Sequence, residues 1–290
     1  YYQEYKDRVK IITHDLSAPF NQMTKDAIGK PDYIINIASQ SHVDRSISDP
    51  VPFVKNNIDL VLNMLEYARE VKPEVFLQFS TDEVYGAAPK DVDFAEWSTI
   101  LPSNPYAASK ASQEAIAISY WRTYGVPVII TNTMNVMGER QDPEKFIPMC
   151  IRKILAGETI TIHSYPDKKT AGSRFYIHAR NVADGLLHIL NCFEINKYWE
   201  GVIDRPDRYN IVGETELDNL ALAQMIAKTL EKELKYEMTD FHSSRPGHDC
   251  RYALSGKKLA TLGWMPPVKF EESLKRLVDW SLNNDKWLKI

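Results

Sequence analysis

The sequence predicts an α/β protein built on a doubly wound parallel sheet, with a smaller mixed α/β part beside it. Three observations carry this. Apolar runs of strand length alternate with amphipathic runs of helix length through the first half of the chain. One of those runs, YIINIA at Tyr33–Ala38, is nearly all apolar, as expected of a strand covered on both faces. After Asn132 the rhythm loosens into shorter, more polar segments, which read as a second and smaller unit.

In chain order, Val9–Thr13 reads as a short β-rich strand and Tyr33–Ala38 as the next. Phe53–Val71 places Phe53, Val54, Ile58, Val61, Leu62 and Leu65 at helical spacing. Glu74–Ser80 is a predicted strand, Ser103–Tyr124 a helix and Val126–Asn132 a strand. Ser103 or Asn104 can cap that helix, and Pro105 suits its first turn. Strand, helix and strand in this order imply βαβ units, whose ligands bind beyond the carboxyl ends of the strands. Further on, the pattern predicts helices at Phe146–Ala156, Asn181–Phe193, Leu217–Leu230 and Phe270–Asn283, with strands at Thr159–His163 and Arg208–Val212. Residues 1–133 and 174–207 are expected in the larger part, and 134–173 with 208–290 in the smaller.

Composition narrows the function classes. A chain of 290 residues is long enough for one large domain or two closely joined ones. Hydrophobic residues at 44% and charged residues at 26% give an ordinary globular balance. The 35 basic residues nearly balance the 39 acidic ones, so nothing electrostatic argues for nucleic acid or an anionic membrane as partner. No apolar run approaches the ~18–20 residues of a membrane span. Cys150, Cys192 and Cys250 lie far apart, with no pair at metal-ligand spacing. Free thiols of a reducing compartment are the expectation, hence a cytoplasmic protein with no metal site.

Two stretches carry chemistry. In FSTDEVYG, Thr81 precedes two adjacent carboxylates, Asp82 and Glu83, where a strand gives way to a loop. Neighbouring carboxylates in a closed site resist double ionisation, so one is pushed toward the protonated form a general acid needs. In SNPYAASKASQEA, Tyr106 and Lys110 stand four residues apart on one helix face. An ammonium beside a phenol favours the phenolate, so Tyr106 could serve as a base below its usual pKa of ~10. A Tyr-x-x-x-Lys pair alone is common on helix surfaces. Here its helix follows the strand that ends in the acids, so both sets can meet at one sheet edge.

STDEVYG followed by PYAASKASQE resembles the extended short-chain dehydrogenase/reductases, and within them the nucleotide-sugar 4,6-dehydratases. ASQSHVDRSI, NTMNVMGERQDPEKFIP, RYNIVG and SRPGHDCRYAL resemble further landmarks of that family, in the same order. The resemblance implies a Rossmann-type sheet, NAD as cofactor and a nucleotide-diphosphate hexose as substrate. It implies that Tyr106 deprotonates the sugar 4-hydroxyl with Lys110 beside it and Thr81 on the 4-oxygen. Glu83 would take the C5 proton, and protonated Asp82 would donate to the departing 6-hydroxyl. Asp15, Leu16, Ile37, Ala38, Ser39, Ser41 and Asn56 correspond to cofactor contacts. Ser41, Asn135, Lys145, Phe146, Arg174, Asn210, Arg245 and His248 correspond to substrate contacts. A homodimer through a helix bundle is also implied, using Phe53–Val71 and Ser103–Tyr124.

The sequence departs from the family in places. None of its 12 glycines forms the GxxGxxG turn that cradles a dinucleotide pyrophosphate, and we expect a segment carrying it to precede Tyr1. Val136, Phe175, Thr161–His163 and the stretch GERQD replace family residues near the presumed substrate, so the nucleotide and hexose stay open. An epimerase or decarboxylase on the same fold is the alternative, which Asp82 argues against. A catalytically silent nucleotide-sugar-binding relative is another.

Overall fold

The computed structural model describes residues 3–193, 204–240 and 249–289. Its centre is a four-stranded, all-parallel sheet in the order β1 (Tyr33–Asn36), β2 (Val75–Thr81), β3 (Val128–Thr133), β7 (Asp207–Ile211). β2 and β3 are buried almost throughout, and their successive side chains feed two separate cores. On one face Phe76, Val128 and Ile130 meet Leu60, Val61 and Leu65 of α3 (Pro50–Val71) and Ala117 and Trp121 of α4 (Pro105–Tyr124). On the other, Val75, Leu77 and Ile129 meet Val182, Leu186 and Ile189 of α6 (Ala179–Cys192), with Leu259 and Trp264. Helices on both faces of a parallel sheet make the doubly wound α/β architecture that the strand and helix rhythm implied. Trp264 lies so close to α6 that a Cβ on Gly185 would sit 2.9 Å from its ring, and its indole donates to Asp184 at 2.8 Å.

The smaller part has two short sheets. β4 (Asn135–Met137) pairs in parallel with β6 (Ser173–His178), which pairs antiparallel with β8 (Glu216–Asp218). β5 (Ile160–Ser164) pairs in parallel with β9 (Tyr236–Asp240). Around them α5 (Phe146–Ala156), α7 (Asn219–Thr229) and a helix at Phe270–Leu282 enclose Ile147, Ile151, Ile162, Leu222, Ile226, Leu274 and Val278. The remaining helices are α1 (Gln22–Ile28), α2 (Val43–Ser48) and a short one at Lys257–Thr261.

Several expectations are corrected here. Val9–Thr13 forms no strand; among the described residues no ladder partner lies beside it, and Val9 and Ile11 stay exposed. β1 is half covered. Ile34 and Asn36 are buried, whereas Tyr33 and Ile35 are 46% and 40% exposed, as on an edge strand with helices on one side. β7 was expected with the smaller part but extends the main sheet, because its Tyr209 and Ile211 complete the apolar face under α6. β6, expected with the larger part, pairs instead with β4 and β8 of the smaller one.

Leu65 is fully buried between α3 and the sheet. Leu65→Ala is expected to lower unfolding free energy by about 2–5 kcal/mol, read from the urea midpoint at unchanged slope.

Candidate active site

β2 ends at the carboxyl edge of the sheet and passes directly into a 3₁₀ turn, Asp82–Tyr85. Thr81 starts that turn: its hydroxyl oxygen accepts the Glu83 amide at 3.4 Å and its hydroxyl donates to Asp82 Oδ1 at 2.8 Å. Gly86 closes the turn with a left-handed φ of 75°, and a Cβ there would lie 2.3 Å from the Leu101 carbonyl oxygen. The adjacent acids are therefore held by a strand end on one side and a glycine on the other.

The two carboxylates differ. Asp82 is 3% exposed, and its Oδ2 has no hydrogen-bond partner among the described residues. Burial, reinforced by the neighbouring Glu83 charge, pushes its carboxyl up to about 7. Glu83 is only half-buried. Its Oε2 accepts from the Asn104 amide at 3.1 Å and from the Tyr252 hydroxyl at 3.4 Å. Burial raises its carboxyl too, while Asn104 and the charges of Arg174 and Lys145 work against that rise. A buried, unpartnered acid beside a hydrogen-bonded one is a donor and acceptor pair distinguished by environment.

Helix α4 begins at the same edge. Asn104 caps it, its side-chain oxygen accepting the Ala107 amide at 2.9 Å, and Pro105 follows in the first turn. That places Tyr106 next to the acids, with Thr81 beside its phenol. Tyr106 is 8% exposed and meets Phe53 edge-on, ring centroids 6.3 Å apart. Lys110, one turn on, is 3% exposed. Its ammonium donates to the Phe79 carbonyl at 2.8 Å and to Gln113 Oε1 at 2.7 Å, and burial lowers it to about 8. The expected Lys110-assisted phenolate is absent from this arrangement. Burial first, then the Glu83 charge, drives the Tyr106 phenol far above its ordinary value, and the ammonium serves backbone and amide oxygens instead.

The remaining expected residues separate into three groups. Ile37, Ala38 and Ser41 lie exposed, and Ser39 half-buried, in the loop off the carboxyl end of β1. That loop is pinned by Asn57, whose amide exchanges two hydrogen bonds with the Gln40 backbone at 2.8 and 3.0 Å. The expected Asn56 is half-buried beside it, so the pinning amide stands one residue later. Lys145 reaches the Ser41 carbonyl at 3.3 Å, and Glu144 pairs with His42 and Arg45 at 2.8 and 3.1 Å. These contacts join the smaller part to the loop after β1. Asp15 sits in an exposed turn, its Oδ1 taking the Ser17 amide and hydroxyl at 3.0 and 2.7 Å, which hold its carboxyl below the usual range. Leu16 packs against the α3 core.

Others are engaged elsewhere. Arg174 is 8% exposed and lies 4.4 Å over the Tyr252 ring. Its guanidinium donates to the backbone carbonyls of Ser173, Asp249 and Cys250. It therefore clamps the 249–252 segment while its charge reaches both acids. Asn210 is fully buried, and its amide donates to the Phe94 and Ser255 carbonyls at 3.1 and 3.2 Å. It ties loops together through that nitrogen, while its Oδ1 has no hydrogen-bond partner among the described residues. Phe146 packs against the smaller part's core, and Asn135 stands opposite Tyr176 in the β4–β6 ladder. Arg245 and His248 lie outside the described residues.

Further residues complete the site. Tyr252 stands between Arg174 and Glu83. Arg251 donates to the carbonyls of Pro89 and Val92 and to Asp93 and Glu216, fastening the loop after the acids. Glu114 and Arg208 form an ion pair at 2.7 Å with neither side chain exposed. Glu114 was legible as the next turn of the Tyr106–Lys110 face; Arg208 and Asn57 carried no pattern. No group of residues able to hold a metal is found among those described, and none of the described helices is long and apolar enough to cross a membrane.

The chain matches the family model described as GDP-mannose 4,6 dehydratase over residues 1–277. It belongs to that family. Among curated relatives, the low-salt glycan biosynthesis protein Agl12 of Haloferax volcanii is 35% identical over 266 residues, 91% of this chain and 80% of the relative. The dTDP-glucose 4,6-dehydratase 1 of Escherichia coli is 34% identical over 283 residues, 89% of this chain and 74% of the relative. Among solved structures, DesIV of Streptomyces venezuelae, a dTDP-glucose 4,6-dehydratase with NAD and TYD bound, superposes with a TM-score of 0.76 at 33% identity, covering 89% of this chain and 75% of its own. A UDP-glucose 4-epimerase of Thermus thermophilus in complex with NAD gives 0.75 at 28% identity, covering 86% and 77%. Fold likeness thus spans a dTDP-glucose 4,6-dehydratase and a UDP-glucose 4-epimerase, and the acids have to separate the two chemistries.

A dinucleotide fits what the described residues offer. The exposed 37–41 loop has its backbone set by Asn57, and the buried Lys110 ammonium stands near the same sheet edge. A glycine-rich pyrophosphate turn is not part of this sequence.

The Asp82 carboxyl yields a stability prediction. Its folded pKa of about 7 lies above its ordinary 3.8. Between those values the folded chain holds a proton the unfolded chain has lost, so this group's contribution falls as pH rises through that window. Asp82→Asn removes the dependence. Its unfolding free energy relative to the parent should improve by on the order of 1–3 kcal/mol from pH ~4 to pH ~8, measured by urea titration at both values.

Proposed function

We propose that this chain is an NAD-dependent nucleotide-sugar 4,6-dehydratase, converting an NDP-hexose of the dTDP-glucose kind to the NDP-4-keto-6-deoxyhexose. One observation carries the reading: Asp82 is buried, one carboxylate oxygen is unpartnered, and the group is raised to about 7 directly beside Glu83. An epimerase has no hydroxyl to expel and no use for such an acid.

The residues divide the work. Tyr106 accepts the proton of the sugar 4-hydroxyl, and Thr81 hydrogen-bonds the 4-oxygen. For Tyr106 to do so its phenol must come down from its raised value, which requires the Lys110 ammonium to swing from Phe79 and Gln113 toward it. Ile37–Ser41, Asp15, Leu16, Asn56 and Lys110 would hold the cofactor. Bound NAD supplies the hydride acceptor for C4 and the source of the same hydride for C6. Once C4 is a ketone, the proton on C5 is acidified and passes to Glu83, half-buried and hydrogen-bonded by Asn104. Asp82 gives its proton to the 6-hydroxyl, which leaves as water; Glu83 returns a proton to C5. Arg174 and Lys145 supply positive charge that a diphosphate would meet, with Ser41, Asn135, Phe146, Arg245 and His248 as further substrate contacts. Free cysteines at Cys150, Cys192 and Cys250 support a cytoplasmic setting. A homodimer through α3 and α4 belongs to the same proposal.

Incubation with NAD+ and a panel of nucleotide hexoses should give a product lighter by one water; turnover to an isomer of unchanged mass would replace this reading with epimerisation. Tyr106→Phe is expected to cut nicotinamide reduction by about 10²-fold or more, followed by absorbance in single turnover. Asp82→Asn should leave that reduction intact and slow water loss by about 10²-fold. In the parent, water loss should fall as pH rises past about 7, where Asp82 gives up its proton, and the variant should lack that limb.

A further inference from the structure

We infer that the buried Arg208–Glu114 ion pair positions the elimination acid, holding the Asp82–Tyr85 turn from both ends; this rests on the dehydratase reading above.

The path is continuous. Glu114 Oε2 accepts from Arg208 Nη2 at 2.7 Å, and Glu114 Oε1 accepts from Asn132 Nδ2 at 2.8 Å. The same Asn132 amide donates to the Thr81 carbonyl at 3.0 Å, the residue immediately before Asp82. On the far side, Arg208 Nη1 donates to the Tyr85 hydroxyl at 3.1 Å, and that hydroxyl donates to the Glu96 carbonyl at 2.8 Å. Tyr85 is the last residue of the turn that begins with Asp82. One guanidinium on β7 thus reaches both ends of a four-residue turn. It is seated 4.3 Å over the Trp97 ring and, like Glu114, has no exposed surface.

Packing alone does not call for charge here. An apolar pair of like volume would hold β7 against α4 at least as well. What it would lack is the directed hydrogen bonds to Asn132 and Tyr85, which set where the backbone on either side of Asp82 lies. Glu114 also stands on the Tyr106–Lys110 face of α4, so the one carboxylate links the base's helix to the acid's turn. Elimination needs the acid aligned with the 6-hydroxyl, whereas C4 oxidation depends on Tyr106; a displaced turn should therefore slow the first and spare the second.

The experiment uses Tyr85→Phe, Arg208→Met and the double variant Arg208→Met/Glu114→Gln, each with NAD+ and the hexose the parent dehydrates. Nicotinamide absorbance reports oxidation and mass loss reports elimination. Tyr85→Phe, which removes a single hydroxyl, should slow elimination by about five- to tenfold with oxidation within about twofold, so that reduced nicotinamide accumulates during turnover. Arg208→Met should lose thermal stability, and the double variant should regain it while elimination stays about tenfold slow. Parent-like elimination in Tyr85→Phe, or recovery of both stability and elimination in the double variant, overturns the inference and makes the pair a matter of stability alone. A parent that loses no water from any hexose overturns the dehydratase reading instead.

Discussion

Helix α4 lies against the sheet with a polar stripe facing inward, and that constraint organises the site. Tyr106, Ser109, Lys110, Gln113 and Glu114 are all buried on one side of it. Buried polar atoms must find partners or cost more than they return. They find them in sequence: Gln113 takes the Lys110 ammonium and donates to the Asn57 carbonyl, Asn57 bonds Ser109 and the Gln40 backbone, and Gln78 joins Gln113 to Asn36. Glu114 continues the stripe to Asn132 and Arg208. This network fixes the rotation of α4 about its axis, and with it the position of Tyr106 beside the acids, leaving only Asn132 Oδ1 and Arg208 Nε of its charged end unpartnered among the described residues. Removing one partner from its charged end would leave a buried, uncompensated ion at a cost of about 3–5 kcal/mol.

The electrostatics follow from the same burial. One environment lifts Asp82, lifts the Tyr106 phenol and lowers the Lys110 ammonium, each toward its neutral form. The site therefore stores its charges as protons to be moved when a substrate arrives. Glu83 is raised by the same burial, but its hydrogen bond from Asn104 and the charges of Arg174 and Lys145 work against that rise.

Elements with a strong apolar period were legible. α3, β2, β3 and α5 stand within a few residues of where their Phe, Ile, Leu and Val spacing placed them. The acid pair and the Tyr-Lys face were legible too, because strand end and helix start bring them together by topology. What stayed hidden depends on partners distant in sequence. Val9–Thr13 has the composition of a strand but no neighbour to share a ladder. The sequence of β7 does not say which sheet it joins; the apolar surface under α6 decides that. Arg174 and Asn210 carry suitable side chains, yet both are committed to backbone carbonyls. Lys110 sits where its spacing put it, but its ammonium points at the nearest strand carbonyl because a buried ion seeks the strongest available acceptor.

Arg251 has a consequence for how the site moves. Its guanidinium binds two carbonyls and Asp93 in the loop after the acids and grips Glu216 at the start of β8. The flanking amides of Ala88 and Phe94 pair with carbonyls of the Arg251 strand segment, at Arg251 and Ala253. Loosening any one of these contacts strains the others, so the loop opens as a single cooperative unit, with its amides exchanging together. The wall beside the acids therefore holds or gives way as one piece, and Arg251 sets which.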